Sequence, residues 1–219
     1  MDLSDWRGAP RPERVTLQGR YTRIEPLSAA LHGAELFRSA REPGADDRFR
    51  YLPDNPPADE ISFQPWMEKA AASSDPLFSA VIDLRTGKAE GRQALMRIDA
   101  ANGVIEIGNI LWGPAIARSR ISTEALFLAA NYVFDALGYR RFEWKCNDLN
   151  EPSKRAAERF GFRFEGIFRH HMVVKGRNRD TAWFAMTDAD WQSIKPAYLA
   201  WLAPENFDAD DRQRSKLKI

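Results

Sequence analysis

A carboxylate at position 106 interrupts the apolar run Val104-Ile105-Glu106-Ile107-Gly108. On a strand it points to the face opposite Ile105 and Ile107, where it could act as a general base or be held in an ion pair. Further on, Arg118-Ser119-Arg120-Ile121-Ser122-Thr123 leads into the strongest helical pattern of the chain. A helix that starts just after a strand presents free N–H groups and the positive end of its dipole, a setting that suits phosphate. Arg118 and Arg120 would add charge-assisted contacts there, with backbone amides in ordinary negative-φ geometry, or else be simply solvated. Asn150 and Ser153 flank Pro152 at the start of a short helix. Locally, Asn150 reads as a cap and Ser153 as a first-turn residue.

The remaining reactive types say less. His170 and His171 are adjacent on a strand and face opposite sides, so they cannot chelate one metal together. A structural role is the default for both, and His32 is remote from them. Cys146 stands alone, which excludes an intrachain disulfide and a cysteine-rich zinc site; it reads as a small buried hydrophobe. Trp66 and Trp112 could floor a pocket, with core filling as the default.

These residues need a frame. Val15–Leu17 and Tyr21–Pro26 read as a strand pair around Gln18-Gly19. Ser28 caps a helix over Ala29–Ala40 with Leu31, Leu36 and Phe37 on its apolar stripe, and Ser62–Ala72 is a second helix. The Pro- and Asp-rich segment Glu42–Asp59 between them is a long loop of the kind that carries function. Leu77–Leu84, Gln93–Asp99 and Val104–Trp112 read as a meander, with Asn102-Gly103 at one turn. Thr123–Leu137 is a helix stopped by Gly138. Arg141–Cys146 is a strand and Pro152–Phe160 a helix. Phe162–Lys175 and Asp180–Thr187 are strands around Gly176-Arg177-Asn178-Arg179, and Asp188–Leu202 is a closing helix. The strand–helix–strand unit Val104–Cys146 demands a parallel crossover in an otherwise antiparallel sheet, so the class is α+β.

Composition bounds the rest. The chain has 219 residues, 44% hydrophobic and 29% charged, enough for one well-packed domain and too apolar for disorder. The expected division is an arm over 1–14, a domain over 15–190, and a helix end and charged tail over 191–219. Thirty-two Lys and Arg against 31 Asp and Glu leave +1, which argues against nucleic acid as a partner. Neither an apolar leader nor a membrane-length stretch is visible, so the expectation is a soluble, cytoplasmic protein without membrane partners.

The strand around Glu106, the helix opening Ser122-Thr123-Glu124, the run Asn147-Asp148-Leu149-Asn150-Glu151-Pro152-Ser153 and the string Arg159-Phe160-Gly161-Phe162-Arg163-Phe164-Glu165-Gly166 follow in fixed order. Together they resemble the GNAT superfamily of acyl-CoA-dependent N-acyltransferases, most closely its RimJ/RimL-like branch, over about residues 15–190. The resemblance implies a central mixed sheet with one splayed parallel crossover. It implies acetyl-CoA as co-substrate, no metal, and acetyl transfer to an amine acceptor by direct attack in a ternary complex. The acceptor would be a peptide α-amine or a small-molecule amine.

The residues implied are Glu106 as base and Ser153 as proton donor near the sulfur. Gly108, Asn109, Ile110 and Leu111 would offer backbone to the thioester arm, and Asn150 a hydrogen bond. Arg118, Ser119, Arg120, Ile121, Ser122 and Thr123 would hold the pyrophosphate. Three departures stand against the pattern. Arginines replace both expected glycines of the phosphate loop, Ala157 replaces a tyrosine acid, and Met172 replaces a glutamate. They leave open a catalytically silent acyl-CoA-binding or protein-interaction module. Related folds dimerise through sheet edges, and a homodimer is compatible with the sequence.

Overall fold

A computed structural model describes residues 2–219. The elements run β1 (Leu17–Gln18), β2 (Thr22–Pro26), α1 (Ala29–Arg41), α2 (Ala45–Phe49), α3 (Glu60–Ala72), β3 (Leu77–Asp83), β4 (Lys88–Asp99) and β5 (Val104–Trp112). They continue with α4 (Arg120–Asn131), β6 (Arg141–Asn147), α5 (Glu151–Arg159), β7 (Arg163–Val174), β8 (Arg177–Thr187) and α6 (Asp188–Leu202). The eight strands form one sheet in the order β1-β2-β3-β4-β5-β6-β8-β7. Every neighbouring pair is antiparallel except β5 with β6, the crossover that the sequence required. The fold is α+β with a mixed sheet.

Strand alternation sorts side chains to the two faces. On one face Ile105, Ile107, Phe142, Trp144 and Phe184 pack with Leu126, Val133 and Phe134 of the crossover segment and with Trp191 and Tyr198 of α6. On the other, Phe78, Ala80, Ile82 and Ala94 are covered by Leu36, Phe63 and Met67 from α1 and α3. That second layer lies over β2 to β4. The same face of β5, β6 and β8 carries charged side chains instead of a hydrophobic core.

Several local expectations change. Leu31 is 73% exposed and lies off the α1 stripe, although Ser28 does cap that helix through the Leu31 amide. The loop 42–59 contains the short helix α2. The crossover helix is α-helical only to Asn131 and then widens into a π turn over Tyr132–Ala136. The last hairpin turns at Lys175-Gly176, both left-handed, so Arg177 to Arg179 belong to β8 and not to the tip. The segment after Leu202 folds back on its own chain, with Phe207 buried against Trp201 and Leu202.

One buried contact ties the crossover helix to the start of the sheet. The Glu124 carboxylate, on α4, accepts the amide N–H groups of Arg20, Tyr21 and Thr22 at 2.8, 2.6 and 2.8 Å. Gly19 is required beside it, because a Cβ there would sit 2.5 Å from the Glu124 carboxyl carbon. Replacing one acceptor oxygen by an NH₂ group leaves buried donors facing a donor, so Glu124→Gln should cost about 2–4 kcal/mol. Urea unfolding reads this directly; an unchanged midpoint would show that the contact does not hold α4 in place.

Candidate active site

The site starts where β5 and β6 part. Their parallel register runs from Val104 opposite Arg141 to Ile107 opposite Trp144 and stops there. On the other side of β5, Gly108 pairs with Ala94 and Leu111 with Arg92, so Asn109 and Ile110 lie together against Gln93. This is a β-bulge, with Asn109 at φ 50°, and it re-aims the backbone at the point of divergence. Gly108 allows the close approach: a Cβ there would meet the Met96 sulfur at 2.6 Å and Glu106 Oε1 at 3.2 Å.

Beside the bulge opens a cleft of about 1480 Å³. Its walls are Ile110, Leu111 and Trp112 from β5, the turn Ala117–Arg120 with Ser122, and Pro152, Arg155, Ala156 and Arg159 from α5. Asp47, Arg48, Arg50 and Tyr51 close one rim, and Trp201, Phe207 and Asp211 to Gln213 the other. Arginine dominates this lining, with only Asp47 and Asp211 as acids. The chain as a whole is nearly neutral, so the cleft is a local concentration of positive charge suited to a polyanion.

The helix start keeps its shape without the two glycines. Arg118 adopts φ 59°, the left-handed geometry that glycine usually supplies, and not the negative φ expected from the sequence. Ser119 caps α4, its Oγ accepting from the Ile121 amide at 3.1 Å, while Ser122 and Thr123 hydroxyls donate to the Ser119 carbonyl. Arg118 is exposed and points no charge at an acid. Arg120 differs: it pairs with Asp211 at 2.6 Å and lies 4.3 Å over the Tyr21 ring and 5.2 Å over that of Phe207. It is therefore caged, not solvated.

Arg159 was not singled out by sequence reasoning. Its guanidinium lies over the Phe160 and Trp201 rings and donates to Thr123 Oγ1 at 3.2 Å, with no carboxylate partner among the described residues, and desolvation pushes its pKa down. The signal was present. Pro152, Arg155, Ala156 and Arg159 recur at helical spacing, and that stripe is the cleft face of α5.

Asn150 lines the cleft and also caps α5, its side chain accepting from the Ser153 amide at 3.2 Å. Ser153 turns toward β6, where Oγ accepts from Trp144 Nε1 at 3.0 Å. Cys146 is buried there, and burial raises its thiol pKa against an opposing hydrogen bond with Ser153. Ala157 is fully buried in the main core and Met172 pairs with Arg179 across the last hairpin, so neither position carries an ionisable group. Trp112 lines the cleft, whereas Trp66 stacks on Phe63 beneath Arg92.

Glu106 is buried at 3% exposure and its carboxylate is fully engaged. Arg97 Nη1 donates to both oxygens at 2.8 and 2.7 Å, and Lys145 Nζ lies 3.0 Å from Oε2. A bulge in β4, with Arg97 at φ 48°, turns that arginine onto the face. Lys145 also pairs with Glu143 at 2.6 Å and sits 3.7 Å over the Trp183 ring. Beside this array stand Thr181 and His171. Thr181 pairs with Asn147 across β6 and β8, next to the divergence, and its Oγ1 meets His171 Nδ1 at 2.9 Å and Arg179 Nε at 3.1 Å. That contact leaves His171 Nε2 without a partner among the described residues. Desolvation first, then the positive charges of Arg179, Arg97 and Lys145, lower the imidazole pKa against a small opposing effect of Glu106. His170 lies in the same irregular stretch of β7, between Phe168 and Met172, at φ 51°, and donates its amide to Asp180 at 2.7 Å.

Loop 42–59 spans both halves of the site. Tyr51 Oη donates to the Leu149 carbonyl at 3.1 Å, and Lys175 at the last hairpin donates to the Phe49 carbonyl at 2.9 Å.

Comparison with known proteins agrees with this architecture. Residues 23–163 match the acetyltransferase (GNAT) domain family. A GCN5-related N-acetyltransferase from Brucella melitensis is 60% identical, with a TM-score of 0.97 over 98% of this chain and 97% of its own. A GNAT-family protein from Chromobacterium violaceum is 40% identical, with a TM-score of 0.81 over 88% of this chain and 96% of its own. An uncharacterized N-acetyltransferase of Bacillus licheniformis is 29% identical over 116 residues, 51% of this chain; the match spans 62% of that curated relative. The chain belongs to the GNAT family of acetyltransferases. No helix among the described residues is long and apolar enough to cross a membrane.

The charged array has a stability consequence. Glu106→Gln leaves Arg97 and Lys145 facing a neutral amide in a buried setting, and should cost about 3 kcal/mol. Chemical denaturation checks this, and a wild-type midpoint would mean that the array is not held by charge.

Proposed function

We propose that this chain is an acetyl-CoA-dependent N-acetyltransferase of the RimJ/RimL-like branch, acting on a primary amine of a peptide N-terminus or a small molecule. The carrying observation is the divergence of β5 and β6 at a bulge, directly beside an arginine-lined cleft. A pantetheine arm needs a slot between strands, and a diphosphate needs donors at its mouth. The start of α4 with Arg118 and Arg159 meets the second need, because neither guanidinium is neutralised by a carboxylate. The asparagine-to-serine run at 150–153 and the Gly161-Phe162 corner support the branch assignment.

In this reading the bulge residues Asn109 and Ile110 offer backbone amides toward the thioester carbonyl. The acceptor enters over the face of Glu106, Lys145 and Trp183. Its nitrogen forms the new C–N bond while the C–S bond breaks. His171 takes the amine proton at Nε2, directly or through one water, and the proton finally neutralises the departing thiolate. Glu106 holds Lys145 and Arg97 in place instead of taking the proton, since both of its oxygens are already engaged by those two side chains. Ser153 is occupied by Trp144 and Cys146 and acts as a positioning residue for α5.

Calorimetric titration of acetyl-CoA into wild type, Arg118→Gly and Arg159→Ala tests the coenzyme site. Arg118→Gly keeps a residue suited to the left-handed turn and removes the guanidinium. Each variant should bind about tenfold more weakly, the loss of one charge-assisted contact, with the difference narrowing in high salt. Absence of wild-type binding would sink the acetyltransferase reading. Binding without turnover across an amine panel would replace it with a coenzyme-binding module.

The base has its own test. A lowered imidazole pKa keeps His171 neutral further into acid than an ordinary histidine, so kcat/KM should hold through neutral pH and fall only below the usual histidine range. His171→Gln should abolish that limb and lower kcat by about 10² or more while leaving acetyl-CoA affinity unchanged. A retained limb in the variant would exclude His171 as the proton acceptor.

A further inference from the structure

The segment after α6 is not a loose tail. Phe207 and Gln213 form an antiparallel bridge, and the Asp208 carboxylate accepts the amides of Asp210 and Arg212, both at 2.9 Å. Asn206 ties the base of this loop by accepting from the Ser215 amide at 2.8 Å and donating to the Trp201 carbonyl at 2.9 Å. Two further contacts fix the loop to the body. Asp211 pairs with Arg120 in the first turn of α4, and Gln213 Oε1 accepts from Trp201 Nε1 at 3.0 Å. Phe207 meets Tyr21 and Trp201 edge-on.

This arrangement gives Arg120 a different task from Arg118. Its guanidinium is enclosed by two aromatic rings and a carboxylate, so it fastens the loop to the phosphate-binding turn. What the loop then presents is Arg212, on the rim of the cleft, with its side chain largely exposed and only a 3.5 Å pairing to the equally exposed Asp210. Such a pairing in solvent is weak and readily exchanged for a phosphate. Gln213 stands beside it, with its oxygen used by Trp201 and its amide donors without a partner among the described residues.

We propose that the loop 204–214 is a wall of the coenzyme cleft, clamped to α4 by the Arg120–Asp211 pair, and that Arg212 and Gln213 on it recognise the phosphorylated nucleotide end of the coenzyme. The proposal rests on the acetyl-CoA reading. It makes Arg120 and Asp211 positioning residues and Arg212 a binding residue. The nucleotide end is the part that fits, because the thioester end is committed to the divergence of β5 and β6 and the loop lines the outer rim.

The test compares CoA with pantetheine, which lacks the nucleotide, by titration into the full-length wild type, Arg212→Ala and Asp211→Asn. Both variants should weaken CoA about tenfold and leave pantetheine affinity unchanged. Arg212→Ala lies on an exposed loop and should keep the wild-type Tm, which separates lost recognition from lost folding. Unchanged CoA affinity in both variants would overturn the proposal while leaving the coenzyme site intact. Parallel weakening of CoA and pantetheine would also overturn it, since a purely structural role of the loop produces that pattern. Failure of wild type to bind CoA would remove the acetyl-CoA reading and this proposal together.

Discussion

The divergence of β5 from β6 is the constraint around which the molecule is built. A parallel pair that separates inside a sheet breaks its ladder, and each freed backbone group needs a partner or a ligand. The bulge at Asn109 and Ile110 turns part of this cost into a directed set of backbone groups, and Gly108 lets neighbouring side chains close up around it. The opening persists only if the flanking helices stay fixed. α4 is fixed by Glu124 gripping three consecutive amides of the first hairpin, and α5 by the caps at Asn150 and the burial of Ala157 and Phe160. Distant elements of the chain thus hold one gap open.

Charge is distributed in two different ways on the two sides of that gap. On the face of β5 and β6 that carries Glu106, acids and bases alternate: Arg141, Glu143, Lys145, Glu106 and Arg97 form a continuous chain of pairs, closed by the Trp183 ring under Lys145. With Glu165 on Arg141 the array balances three cations against three acids, and it resists rearrangement, because removing one member strands another in a poorly solvated place. In the cleft, Arg118 and Arg159 lack acidic partners among the described residues. The cleft is therefore the side of the gap suited to a polyanion, whereas the charges of the array already pair with one another.

Much of the frame was legible. Periodicity gave the meander, the crossover and the closing helix, because those elements bury one regular stripe each. The failures share a cause. Leu31 looks like a stripe residue at its spacing, yet the buried face of α1 runs through His32, Leu36 and Ala40, and Leu31 lies off it. The π turn after Asn131 and the bulges at Arg97 and Asn109 are single-residue slips that leave no compositional mark. Of the site, the helix start and Asn150 could be placed from the chain alone. Whether Glu106 was free or paired depended on Arg97 and Lys145, and their approach is set by a bulge and a neighbouring strand. His171 was equally opaque, since its setting comes from Thr181 on another strand. Arg159 was within reach through its helical register with Arg155, had the face of α5 been assigned.

The turn before α4 shows how a residue other than glycine can hold a position where glycine is expected. Glycine is favoured there for two separable reasons: a left-handed backbone and room for a ligand close to it. At Arg118 the first is met at a cost of about 1 kcal/mol for a residue with a Cβ. That cost is tolerable because Ser119 and the burial of Ile116 and Ile121 fix the chain on either side. The second is met by direction, since the Arg118 side chain stands in solvent instead of filling the turn. At position 120 the chain is already helical, so glycine would offer no conformational advantage, and a side chain there can be used for anchoring. The two arginines therefore serve on unlike physical terms: one holds the left-handed turn with its charge exposed, the other anchors the segment after α6 to the start of α4.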